Sequence, residues 1–142
     1  MKVEQSASGS EDLEIQDPGG IQLQPLRVTH GWAVDWNALY EIDPTRENVE
    51  AFLFTSSTLF CATNVKQRLL IDVAWLPPDE PEGRFVVEVY RAPQVADRKD
   101  HEAGNSPFNF HRDGELTSTF ETRSRPELVA YLEETMLRAW EQ

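Results

Sequence analysis

The chain has 142 residues, 39% of them hydrophobic, which suits one domain with one core and excludes wholesale disorder. Its formal net charge is −12, from 25 acidic and 13 basic residues. That balance argues against direct binding to nucleic acid or to an anionic membrane, both of which need a basic footprint. Cys61 is the one cysteine, so no intramolecular disulfide and no cysteine-based zinc site can form, and no apolar run approaches the roughly 20 residues of a transmembrane helix.

Residues 1–19 are polar and acidic, with few apolar side chains to offset chain entropy, and read as a disordered acidic tail. They lack the apolar core of a signal peptide, so a cytoplasmic location is expected. The remainder, 20–142, reads as a single α+β domain. Ile21 to Val28 alternates roughly, and Pro25 limits it to an edge strand or a strand start. Trp32, Val34 and Trp36 follow at period 2, with a bend expected around Asn37. Asp43-Pro44 pairs an N-cap acceptor with Pro at a first helical position, predicting a short helix over 44–53.

Thr58 to Thr63 reads as a strand, with Cys61 as a buried, inert thiol. Arg68 to Leu76 is the strongest strand pattern, with Leu69, Ile71, Val73 and Trp75 on one face and Leu70, Asp72, Ala74 and Leu76 on the other. Pro77-Pro78 stops it, Gly83 closes the connection, and Phe85 to Tyr90 returns. Apolar residues on both faces predict that these two strands are central. Gln94 to Ser106 reads as a surface loop, Asp113-Gly114 as a hairpin turn and Leu116 to Thr122 as a further strand. Ser124 and Glu127 have capping-box spacing at the head of a final helix, whose stripe is Leu128, Val129, Leu132, Met136, Ala139 and Trp140. The predicted architecture is an antiparallel sheet of about five strands with this C-terminal amphipathic helix on one face.

No catalytic motif stands out: there is no GxSxG, P-loop, GxGxxG, HExxH or CxxC. His30, His101 and His111 have no second ligand at metal spacing, so neither a metal nor a cofactor is expected. A His–Asp acid/base pair built from His30 with Asp35 or Asp72 is a minor alternative. The acidic and aromatic residues say more. Asp35 lies among Trp32, Trp36 and Tyr40, and the connection between the central strands carries Asp79, Glu80 and Glu82. Aromatic anchors supply contact area at low entropy cost, and carboxylates around them steer a basic partner. These seven residues form the candidate partner surface. The competing reading places Trp32, Trp36 and Trp75 in the core and leaves the acids solvated.

The stretches "GWAVDWNALYEIDP", "LLIDVAWLPPDEPEGRFVVEVYRAP" and "FETRSRPELVAYLEETM" resemble small bacterial immunity proteins of polymorphic-toxin or contact-dependent inhibition systems. The likeness spans roughly Gly31 to Met136. The residues before Gly20 and the Gln94–Ser106 stretch lie outside the pattern. The resemblance implies a non-enzymatic protein that binds and neutralises one cognate toxin, and an acidic member fits occlusion of a basic nuclease site. The alternative class is a small acidic secretion-type chaperone holding an effector segment. A small hydrolase is a third reading, against which the missing nucleophile motif counts.

Overall fold

The computed structural model describes residues 20–51, 54, 58–93 and 109–139. The tail 1–19, the end of the helix expected over 44–53, His101 with its 94–106 loop and Trp140 lie outside the described residues. Five strands make one antiparallel sheet in sequential order: β1 (Ala33–Asn37), β2 (Phe60–Asn64), β3 (Leu69–Leu76), β4 (Arg84–Arg91) and β5 (Glu115–Thr122). Among the described residues three helices punctuate it: α1 (Arg46–Glu50), α2 (Phe110–Asp113) and α3 (Arg125–Arg138). The fold is α+β, and β3 and β4 are interior strands with neighbours on both sides. Among the described residues no helix is long and apolar enough to cross a membrane.

One sheet face carries the core. Ile71, Val73 and Trp75 of β3, Phe85 and Val87 of β4, and Phe60 and Ala62 of β2 are all buried there. The α3 stripe closes it: Leu128, Leu132 and Met136 are fully buried, and Tyr131 stacks on Phe120 of β5 with ring centroids 4.1 Å apart. Ser124 caps α3 as its spacing implies, its Oγ accepting from the Glu127 amide at 3.2 Å. The reciprocal half of the capping box runs through an extra residue. The Ser124 amide donates to Thr122 Oγ1 at 3.0 Å, and the Thr122 hydroxyl donates to Glu127 Oε1.

Three local expectations are corrected. Ile21–Val28 forms no strand; among the described residues its only pairing is an isolated bridge, Leu23 to Tyr40, flanked by the Gln24 amide donating to the Leu39 carbonyl and the Glu41 amide to the Gln22 carbonyl. Pro25 brings no N–H to carry the ladder further. Helix α1 starts later than Asp43-Pro44 predicts, because Thr45 is the cap, its hydroxyl accepting from the Asn48 amide at 3.2 Å. The Asp43 carboxylate instead accepts from Arg125 Nε at 2.9 Å. Asp113-Gly114 is not a hairpin turn: Asn109 Oδ1 accepts from the Arg112 amide and Asp113 Oδ2 from the Asn109 amide, which winds 110–113 into α2 and leaves Gly114 as its C-cap. A Cβ at Gly114 would lie 2.6 Å from the Phe110 carbonyl oxygen, so this tight exit requires glycine.

Candidate functional site

The acidic connection between β3 and β4 is braced from beneath. The Glu80 amide donates to the Pro77 carbonyl at 3.3 Å and the Gly83 amide to the Glu80 carbonyl at 2.9 Å. Indole Nε1 of Trp75 donates to the same Glu80 carbonyl at 2.9 Å. Arg123, just before α3, donates to the carbonyls of Gly83 and Pro81, and its guanidinium lies 5.6 Å from the centroid of the Trp75 ring. A cation on an aromatic face is attracted by the ring quadrupole, so Arg123 joins the turn to the core tryptophan. A Cβ at Gly83 would lie 2.8 Å from both the Leu76 carbonyl oxygen and Trp75 Nε1, so only glycine lets the turn close on the indole. Asp79 holds a φ of 62°, a left-handed conformation that Asp tolerates better than most residues. Above this brace Asp79, Glu80 and Glu82 are exposed. Glu82 makes one surface ion pair, to Arg46 of α1 at 2.9 Å.

A second group of polar residues lies on the other face of the sheet. Register places Trp36, Cys61, Asp72, Glu88 and Thr119 directly opposite one another across all five strands. Residues in one such row project from the same face. Asp72 and Glu88 are like charges in direct opposition, an unfavourable pairing. Each is partly relieved: Tyr90 Oη donates to Glu88 Oε1 at 2.8 Å, the Thr58 hydroxyl bonds Asp72, and His111 Nε2 of α2 lies 3.7 Å from Asp72 Oδ2. The His111 ring also meets Tyr90 edge-on, with centroids 4.8 Å apart. Burial first, and Glu88 after it, push the Asp72 carboxyl above its usual range, while His111 and Thr58 pull the other way. Asp72 Oδ1 is buried without a hydrogen-bond partner. Burial and the Glu88 hydrogen bond raise the Tyr90 phenol to about 12.

Cys61 is half-buried rather than enclosed. Burial, then Asp72 and Asp35, push its thiol up to about 11, the opposite of the electropositive setting that makes a thiolate nucleophile. The row can hold a proton, but its thiol is not activated. The histidine beside Asp72 is His111, not His30.

The seven residues of the expected partner surface do not form one patch. Trp32 is buried in the core, its indole N–H donating to the Met136 carbonyl at 3.0 Å. Trp36 is 53% exposed, its ring held by an indole bond to the Thr58 carbonyl at 2.7 Å. A bulge between Val34 and Trp36 breaks the alternation that puts the two tryptophans on one face in the sequence. Asp35 sits beside Trp36 on β1 and accepts from the Thr63 hydroxyl at 2.7 Å. Tyr40 is half-buried at the Leu23 bridge. Asp79, Glu80 and Glu82 lie together beyond the end of β3, two strands away from β1. The structure therefore brings together two groups, Asp35 with Trp36 and the three turn carboxylates.

The Asp72–Glu88 opposition was readable in the sequence. In an antiparallel pair, fixing Leu76 opposite Arg84 obliges Asp72 to face Glu88. The His111 contact was not, because it depends on α2 forming where a hairpin turn is expected. Among the described residues no group of three or more His, Cys, Asp or Glu is arranged to hold a metal ion. No protein-family model matches the chain, and neither does any curated protein or solved structure.

Proposed function

We propose that the chain is a cytoplasmic, non-enzymatic inhibitor of the immunity type, which binds one cognate bacterial toxin and covers a basic surface on it, such as a nuclease site. The observation that carries this reading is the braced acidic turn. Five hydrogen bonds fix its backbone, from Glu80, Gly83, Trp75 and twice from Arg123, while its three carboxylates stay in solvent. A preordered turn loses little entropy on binding. Carboxylates at such a rim accelerate encounter with a cationic partner more than they tighten the final complex. The net charge of −12 acts in the same direction. The exposed, hydrogen-bonded Trp36 supplies a second contact of the kind that anchors protein interfaces.

The test is association kinetics between the purified chain and a folded cognate toxin domain. Replacing Glu80 and Glu82 by Lys and Asp79 by Asn should slow association and flatten its salt dependence, with the melting midpoint little changed because all three side chains are solvated and Asn keeps the left-handed turn. Unchanged rate and salt slope would remove the turn from the interface. Binding of an extended effector segment, with no affinity for any folded toxin, would overturn the inhibitor reading in favour of the chaperone class.

A further inference from the structure

The sheet ends at β5, and among the described residues β5 pairs with β4 on one side only. An edge strand carries alternate N–H and C=O groups that its one neighbour does not take up, and these can pair with a further strand. Glu115 to Thr119 and Glu121 are all exposed, so this edge is open to solvent. Glu115–Thr122 holds no Lys or Pro, the residues that commonly blunt an edge. The other edge, β1, has five residues against eight, with a bulge in its middle. β5 has a bulge too, at Thr117, but Ser118 to Thr122 runs on in unbroken register.

Carboxylates stand at both ends of this edge. Glu115 opens the strand. At the far end Arg123 follows Thr122 directly and donates to the Pro81 and Gly83 carbonyls, so β5 runs into the acidic turn. Glu121 and Glu82 are already paired, with Arg84 at 2.6 Å and Arg46 at 2.9 Å, and add little attraction. Asp79, Glu80 and Glu115 are exposed and make no ion pair among the described residues. Arg91 faces Glu115 across the ladder and lowers the field at that end, so the turn is the stronger of the two. Between the ends lie Leu116, Thr117, Ser118, Thr119 and Phe120, which carry no charge.

We propose that β5 takes up an extended strand of the basic toxin, pairing through its backbone along Ser118–Thr122, with Lys or Arg of that strand set against Asp79 and Glu80 at one end and Glu115 at the other. This rests on the reading of the partner as a basic toxin and adds which part of it is held. In strand addition the main-chain hydrogen bonds carry affinity and the side chains carry specificity; here the carboxylates at the two ends select a cationic strand. A second copy of the chain fits worse, because its β5 brings two more glutamates and no Lys or Arg, and both copies carry a net charge of −12.

The probe is a capped peptide of alternating Thr and Val with Lys at both ends, titrated into the full chain and followed by amide NMR shifts and hydrogen exchange. Saturable shifts and slowed exchange are expected at alternate amides between Ser118 and Thr122, with binding weaker as salt rises. The same peptide with every Thr and Val N-methylated has no backbone donors there and should give no shifts. Asp79→Asn, Glu80→Gln and Glu115→Gln together should weaken binding by about fivefold or more, the range for a few exposed ion pairs. All three side chains are solvated and Asn tolerates the conformation at position 79, so the fold is unaffected. Shifts centred on β1 or α3, equal affinity for a Glu-ended peptide, binding that survives N-methylation, or no saturable shift at all would overturn the proposal. So would dimerisation of the chain alone in sedimentation equilibrium with the β5 amides protected, which would make a second copy the occupant. None of these outcomes alters the turn-charge kinetics above, which test the inhibitor reading separately.

Discussion

Asp72 faces Glu88 across the two interior strands, and its titration should be visible in stability. Its carboxyl is raised above the ordinary value of 3.8, with burial the main cause and Glu88 adding to it. Between that unfolded value and the raised folded one, the folded chain holds the proton more firmly than the unfolded chain. Stability contributed by this residue is therefore complete below 3.8 and lost as pH rises through the folded value. Asp72→Asn removes the titration. Relative to wild type, the variant should be more favoured at about pH 7 than at about pH 3, whatever constant offset the new amide introduces at both. Paired denaturant melts at the two pH values measure this difference. A variant that is relatively worse at pH 7 would show that His111 and Thr58 outweigh burial and Glu88.

Element by element, the sequence was most legible where a local pattern and a buried face agree. Helix α3 announces its start through Ser124 and its contact face through Leu128, Leu132 and Met136, all of which reach the core. The β3–β4 hairpin is equally clear, because Pro77-Pro78 and Gly83 bracket its turn. Legibility failed where one side chain chose between two local partners. Asn109 and Asp113 could belong to a turn or cap a helix, and their reciprocal bonds to backbone amides select the helix. Asp43 could cap α1 but is taken by Arg125, a residue distant in sequence. The bulge beside Asp35 had no local marker, so the sequence grouped Trp32 with Trp36 when one is core and the other surface. For α3 itself, Leu132→Ala should destabilise by about 2–5 kcal/mol in a denaturant melt, since Leu132 is completely buried. A loss below about 0.5 kcal/mol would mean that the helix is not held as its stripe implies.

Across the whole molecule, stretches distant in sequence converge on one another. Trp32 bonds the last turn of α3, Asp43 bonds Arg125 near its first turn, and Trp75, Gly83 and Arg123 meet under the acidic turn. These contacts hold the connections to the helix. The proposed partner surface falls on what they leave exposed: the turn carboxylates, Asp35 and Trp36. The same contacts make the sheet depend on α3. A chain ended at Ser124 should show no cooperative thermal transition, because it lacks Leu128, Leu132 and Met136; a sharp melt of that fragment would prove the sheet autonomous.

The indole bond from Trp32 to Met136 spans 104 positions, and that separation has a consequence during synthesis. A ribosome adding about 5–20 residues per second takes roughly 5–20 s to supply the second partner after the first. Throughout that interval the apolar side chains of the core have no helix to cover them. Every newly made copy thus passes through a window of exposure to chaperones and proteases, and the length of that window is set by the pace of translation across β2 to α3 rather than by the stability of the finished fold.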